Sequence, residues 1–166
     1  MPDSTSTSAA KPYDLGAGIA LELLKRPLKY GVSTAAGYCQ MFARRYVEVR
    51  YGKPDHSFYR AVGGVMGVPS AAQLARLIQA RHPHWVVSSP KPGDLAYWLS
   101  CFPGDLQGHV AVYADYNGNG KLEYAQNSEV KVGIVKPYQG NLSLNDASVQ
   151  DGALGHPDLI VRVPSF

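Results

Sequence analysis

The chain has 166 residues, 45% of them apolar and 17% charged, with a net charge of +3. That is enough apolar material for one well-buried core and too much for a disordered chain. It holds no run of Lys and Arg of the kind that grips nucleic acid, no stretch of ~18 apolar residues that would span a membrane, and only two cysteines, too few for a disulfide framework.

Residues 1–12 are rich in Ser, Thr, Ala and Pro and are expected to be disordered, leaving 13–166 as a single domain. The start MPDSTSTSAAKPYD has no basic segment leading into an apolar one, so no Sec signal is expected. Asp14 is placed to cap a helix over LGAGIALELLKR that Pro27 ends. In GVSTAAGYCQMFARRYVEVRYG, Cys39, Phe42, Tyr46 and Val49 recur at three- and four-residue steps, which predicts a helix with one buried stripe and Cys39 in its first turn or so. Residues 55–69 read as irregular or briefly helical. Ser70 is placed to cap the helix AAQLARLIQARH.

After Pro83 the period turns from helical to alternating. Strands are expected at Trp85–Ser88, Asp94–Ser100, Gly108–Ala114, Lys121–Asn127, Lys131–Lys136 and Leu159–Val163, parted by Pro, Gly and Asn turns. Helices first and strands second predict an α+β fold, with N-terminal helices packed on one side of an antiparallel sheet.

Cys39 at a helix N-terminus meets the positive end of the backbone dipole and free N–H groups, both of which favour a nucleophilic thiolate. His109 opens a strand whose alternate residues Val110 and Val112 suit a core, so its ring can project over the sheet edge toward that helix end. Asn127, on the next strand of the hairpin, can hold the imidazole tautomer as the third member of a Cys-His-Asn set. A slip of one residue would put Gln126 there instead. The reading needs the Cys39 sulfur within hydrogen-bonding reach of the His109 ring.

The pieces GYCQMFARR, KPGDLAYW, GHVAVY and YAQNSEVKVG, spanning roughly residues 31–135, resemble the NlpC/P60 and CHAP families of papain-like cell-wall hydrolases. The resemblance implies a papain-like fold and a peptidoglycan endopeptidase or amidase with Cys39, His109 and Asn127 as its site, using no cofactor. It departs from those families at Tyr38-Cys39-Gln40, where Asp-Cys-Ser is usual in NlpC/P60, and at Ala125, where CHAP domains often carry an acid. The Cys39 amide with Tyr38 or Gln40 would serve the oxyanion or substrate. The substrate implied is a wall peptide; delivery without a Sec signal would use phage lysis, a virion or a secretion machine, the last with an immunity protein as partner. The rival readings are a papain-like wall-binding or scaffold module without turnover, and an acyltransferase on the same fold.

Cys101 has no helix N-terminus and reads as a bystander. Asp115–Glu123 resembles half of an EF-hand loop, but Gln126 stands where a bidentate Glu is needed, and a hairpin turn is the better reading. His56, His82, His84 and His156 show no metal spacing and are expected to be structural.

Overall fold

The computed structural model describes residues 12–35, 38–63, 69–115, 117–131, 134–136 and 142–166. Four helices come first: α1 (Pro12–Lys25), α2 (Cys39–Arg50), α3 (Ser57–Gly63) and α4 (Ala71–Arg81). Then follow β1 (Val86–Val87), β2 (Leu95–Trp98), β3 (His109–Ala114), β4 (Glu123–Asn127), β5 (Glu129–Lys131), β6 (Ile134–Lys136), β7 (Leu142–Asp146), α5 (Ala147–Leu154) and β8 (Leu159–Val161). Six strands form an antiparallel sheet in the order β1-β8-β2-β3-β4-β7, and β5 pairs β6 in a separate hairpin. The fold class is therefore α+β.

Helix boundaries follow local chemistry. At α4, Ser70 accepts from the Gln73 amide while the Gln73 side chain accepts from the Ser70 amide, a reciprocal capping box that satisfies two free first-turn donors. The helix expected to start after Asp14 already includes Pro12, whose fixed φ and missing N–H suit a first turn, so Asp14 lies inside α1. Residues 1–11, expected to be disordered, lie outside the described residues.

Alternation along β2 and β3 splits the side chains between two apolar clusters. Leu95, Tyr97, Val110 and Val112 pack with Ala20, Leu23, Cys39, Phe42, Tyr46, Phe58, Leu74 and Ile78 beneath α1 to α4. Ala96, Trp98, Ala111, Tyr113 and Tyr124 face the other way and pack with Ala147. That second layer corrects the expectation of helices on one side alone. The segment β7–α5 is missing from the sequence reading because QGNLSLNDASVQDGALG has neither strict alternation nor a strong apolar stripe; Asp146, accepting from the Ser148 and Val149 amides, is the cap that starts α5. The expected strand Lys131–Lys136 is instead β5 and β6 folded on each other.

Two turns set up the site. In PKPGD, the Asp94 side chain accepts from the Lys91 amide and is gripped in a two-point contact by Arg162, at 3.0 Å from Nε and 2.8 Å from Nη2. Before β3, Gly108 has a φ of +69°, and a Cβ at this position would stand 2.1 Å from the Trp98 carbonyl oxygen. Only glycine fits a left-handed position that tight, so the residue ahead of His109 is dictated by backbone packing.

Candidate active site

Cys39 is the first residue of α2 and His109 the first of β3, so the two chain segments meet where helix and strand both begin. The backbone amides of Val110, Gln40 and Cys39 itself lie beside the thiol. These donors favour a thiolate, but burial outweighs them: Cys39 is 7% exposed, and its thiol is pushed up to about 11. The charge of Asp105 adds to that rise.

The His109 ring is fully buried and lies against Trp98, with centroids 5.6 Å apart. Nε2 donates to Gln126 Oε1 at 2.8 Å. Because a carbonyl oxygen can only accept, the ring proton sits on Nε2 and Nδ1 carries a bare lone pair. Nδ1 has no hydrogen-bond partner among the described residues. Burial holds the imidazole down at about 4, against smaller upward effects of Gln126 and Asp105. Thiol and imidazole are thus both neutral at ordinary pH.

No hydrogen bond joins the sulfur to the ring, which differs from the contact the sequence reading needs. The sheet explains why. Trp98 pairs with His109 in register, and this face carries the ring away from α2, whereas Cys39 packs with the opposite face. The two groups share a backbone neighbourhood at Val110 without sharing a proton.

The third position is corrected as well. Val112 pairs Ala125 and Tyr113 pairs Tyr124, which puts Gln126 on the face of His109 and Asn127 on the face of α2. Asn127 Nδ2 donates to the carbonyls of Ser33 at 2.8 Å and Ala35 at 3.2 Å. It ties down the lead-in to Cys39, while Gln126 meets the imidazole. Gln40 turns into the core, its Oε1 accepting from the Tyr97 hydroxyl at 3.1 Å, so that side chain is withdrawn from any substrate. Tyr38, by contrast, is 37% exposed beside the nucleophile.

Sequence reasoning missed two contributors. Asp105, in the turn between β2 and β3, accepts from the amides of Cys101, Gln107 and Gly108, and its carboxylate acts on both Cys39 and His109. A depression of about 380 Å³ opens at Phe102, Gly104, Asp105, Leu106 and Gln107. Gln150 of α5 contacts Gln126, and no motif marks it. Neither the depression at Asp105 nor a second hollow of about 390 Å³ beside Tyr113, Lys121 and Asp151 is lined by Cys39 or His109.

Cys101 is a free thiol pushed up to about 12 by burial. The Asp115 carboxylate is occupied by the amides of Asn119 and Gly120, which makes it a turn former. Among the described residues, no three His, Cys, Asp or Glu side chains converge as a metal site, and no helix is long and apolar enough to cross a membrane. His82 stacks on Trp85 at 4.0 Å and bonds the Val62 carbonyl. Compared with protein-family models, curated proteins and solved structures, the chain has no significant match.

Proposed function

We propose that this protein is a papain-like cysteine hydrolase of NlpC/P60 or CHAP type, cutting amide bonds in the peptide stems of bacterial wall. One observation carries the chemistry: the Nε2 proton of His109 is committed to Gln126, which leaves Nδ1 a bare base on the residue before Val110, whose backbone amide lies beside the Cys39 thiol at the head of α2. The substrate class rests on the motif order GYCQMFARR, KPGDLAYW, GHVAVY and YAQNS.

In this mechanism Nδ1 takes the proton from Cys39 as its sulfur attacks the amide carbon. The imidazolium then protonates the departing amine, leaving a thioester. Water, deprotonated by the same Nδ1, opens the thioester and restores the thiol. The Cys39 amide at the start of α2 would serve the oxyanion. Because ring and sulfur face opposite sides of the sheet, this mechanism requires the His109 side chain to rotate toward Cys39 when substrate binds.

Digestion of purified peptidoglycan by wild type, with fragments identified by mass, should give free stem-peptide termini that Cys39→Ala does not produce. Intact walls after digestion with folded wild type would refute the reading. The buried, protonated thiol favours one rival, a wall-binding module without turnover. That rival predicts wall binding that survives Cys39→Ala and no new termini.

A further inference from the structure

The face of the sheet turned away from α1 to α4 carries a hollow that the Cys39 and His109 chemistry does not use. It measures about 390 Å³ and is walled by Tyr113 of β3, Leu122, Ala147 of α5 and Ile160 of β8. Tyr113 and Ala147 belong to the apolar cluster on that face, with Leu122 and Ile160 packed against it. Small-molecule sites usually run from about 300 to 1,000 Å³, mainly apolar with a few placed polar groups. This hollow is of that kind.

Its charged lining comes from Lys121, Asp146 and Asp151, with His156 beside them. Two of the charges cancel. Lys121 Nζ lies 2.7 Å from Asp146 Oδ2, and the other Asp146 oxygen accepts from the Ser148 hydroxyl at 2.6 Å and from the Ser148 and Val149 amides. Asp151 has no such cation held against it. Its Oδ1 accepts from the Tyr124 hydroxyl at 2.8 Å, a neutral donor. Its Oδ2 faces His156 Nδ1 at 3.4 Å, on a side chain 92% exposed, where an ion pair is weak. Burial raises the Asp151 carboxyl above its ordinary value, against lowering by the Tyr124 hydroxyl and His156. A carboxylate in this position has shed water without gaining a fixed counter-charge.

The neighbouring hydroxyl hydrogens are already committed. A hydroxyl carries one hydrogen, so Tyr124, giving its own to Asp151, accepts one from Tyr113 across 3.1 Å. Ser148 gives its hydrogen to Asp146. What the hollow offers a ligand is therefore an acceptor, Asp151 Oδ2, beside an apolar wall. An anion would meet like charge there, whereas a cationic donor would complete the site. We propose that this hollow binds a small organic ammonium, a primary amine on a short apolar or aromatic body, with the Asp151 carboxylate as its counter-ion. The site is independent of the hydrolase reading, since neither Cys39 nor His109 lines it.

The test is NMR titration of the ¹⁵N-labelled full chain with benzylamine, benzyl alcohol and benzoate, probes of similar size that differ in charge. At about pH 8 ordinary carboxyls are charged and ordinary histidines are not. Benzylamine should give saturable shifts at the amides of Lys121, Leu122 and residues 147–151, with a Kd of about a millimolar or tighter. Benzyl alcohol should bind about tenfold more weakly, and benzoate should not bind. Asp151→Asn keeps the shape and an acceptor for Tyr124; it should weaken benzylamine about tenfold and leave benzyl alcohol unchanged. Should that variant fail to fold, the probes on wild type decide alone. Equal affinity for amine and alcohol would reveal an apolar hollow without charge recognition and overturn the proposal. So would saturable binding of benzoate, no saturable binding of benzylamine, benzylamine shifts that map away from these residues, or unchanged benzylamine affinity in folded Asp151→Asn.

Discussion

Cys39 and His109 are each held neutral by burial, and this sets how each answers to pH. Alkylation of Cys39 by iodoacetamide should climb steadily toward about pH 11, following its raised thiol, with no plateau near neutrality. A plateau below pH 8, read from the Cys39 peptide by mass, would show a preformed thiolate instead. For His109 the folded value of about 4 lies below the ordinary 6.5, so between these pH values the unfolded chain binds the extra proton. Stability is therefore full above about pH 6.5 and falls by roughly 3 kcal/mol as pH drops through 4. Urea melts of wild type and His109→Gln should differ in slope within that window and run parallel above it. Gln126 and Asn127 separate by readout. Removing the imidazole's partner with Gln126→Ala should cut turnover by about a hundredfold. Asn127→Ala should instead cost about 1–2 kcal/mol of stability, because two half-buried hydrogen bonds to the Ser33 and Ala35 carbonyls are lost.

At the scale of elements, the site depends on how β3 is launched. The turn after β2 must pass under the Trp98 carbonyl, and Gly108 does so in a left-handed conformation with no room for a side chain. Gly108→Ala should destabilise the fold by roughly 2–4 kcal/mol, combining φ strain with a backbone clash. Chemical denaturation measures that loss, and wall cleavage should fall with it as His109 is displaced. The motif pieces PGD and GHV thus have physical reasons of their own. Asp94 anchors the first to Arg162, and close packing imposes glycine in the second.

For the whole molecule, the far end of the chain fastens the helical layer to the sheet. The Tyr51 hydroxyl donates to the Val163 carbonyl at 2.6 Å, Phe166 packs edge-on to Tyr51 and near Phe58, and Arg162 grips Asp94. Beneath them Glu48, fully buried, holds Arg44, Arg45 and the Phe58 amide, and Arg44 also pairs with Asp55. Glu48→Ala would leave the buried Arg44 guanidinium with Asp55 alone and the Phe58 amide without its acceptor, at a cost of about 3 kcal/mol. Thermal unfolding should register it as a drop of many degrees with the fold class unchanged by circular dichroism.

Much of this was legible along the chain. Three- and four-residue spacing placed Cys39 at the head of α2, the Ser70 and Gln73 pair marked α4, and alternation marked β2 to β4, because these are local preferences of backbone and side chain. What local chemistry could not decide was which face each residue took once strands paired. One position of register separates Gln126, which meets His109, from Asn127, which holds the loop before Cys39. The Gln150 contact joins residues 24 apart through a helix with weak amphipathic signal. The neutrality of Cys39 and His109 comes from burial, which the tertiary structure alone creates by drawing distant segments together and excluding water.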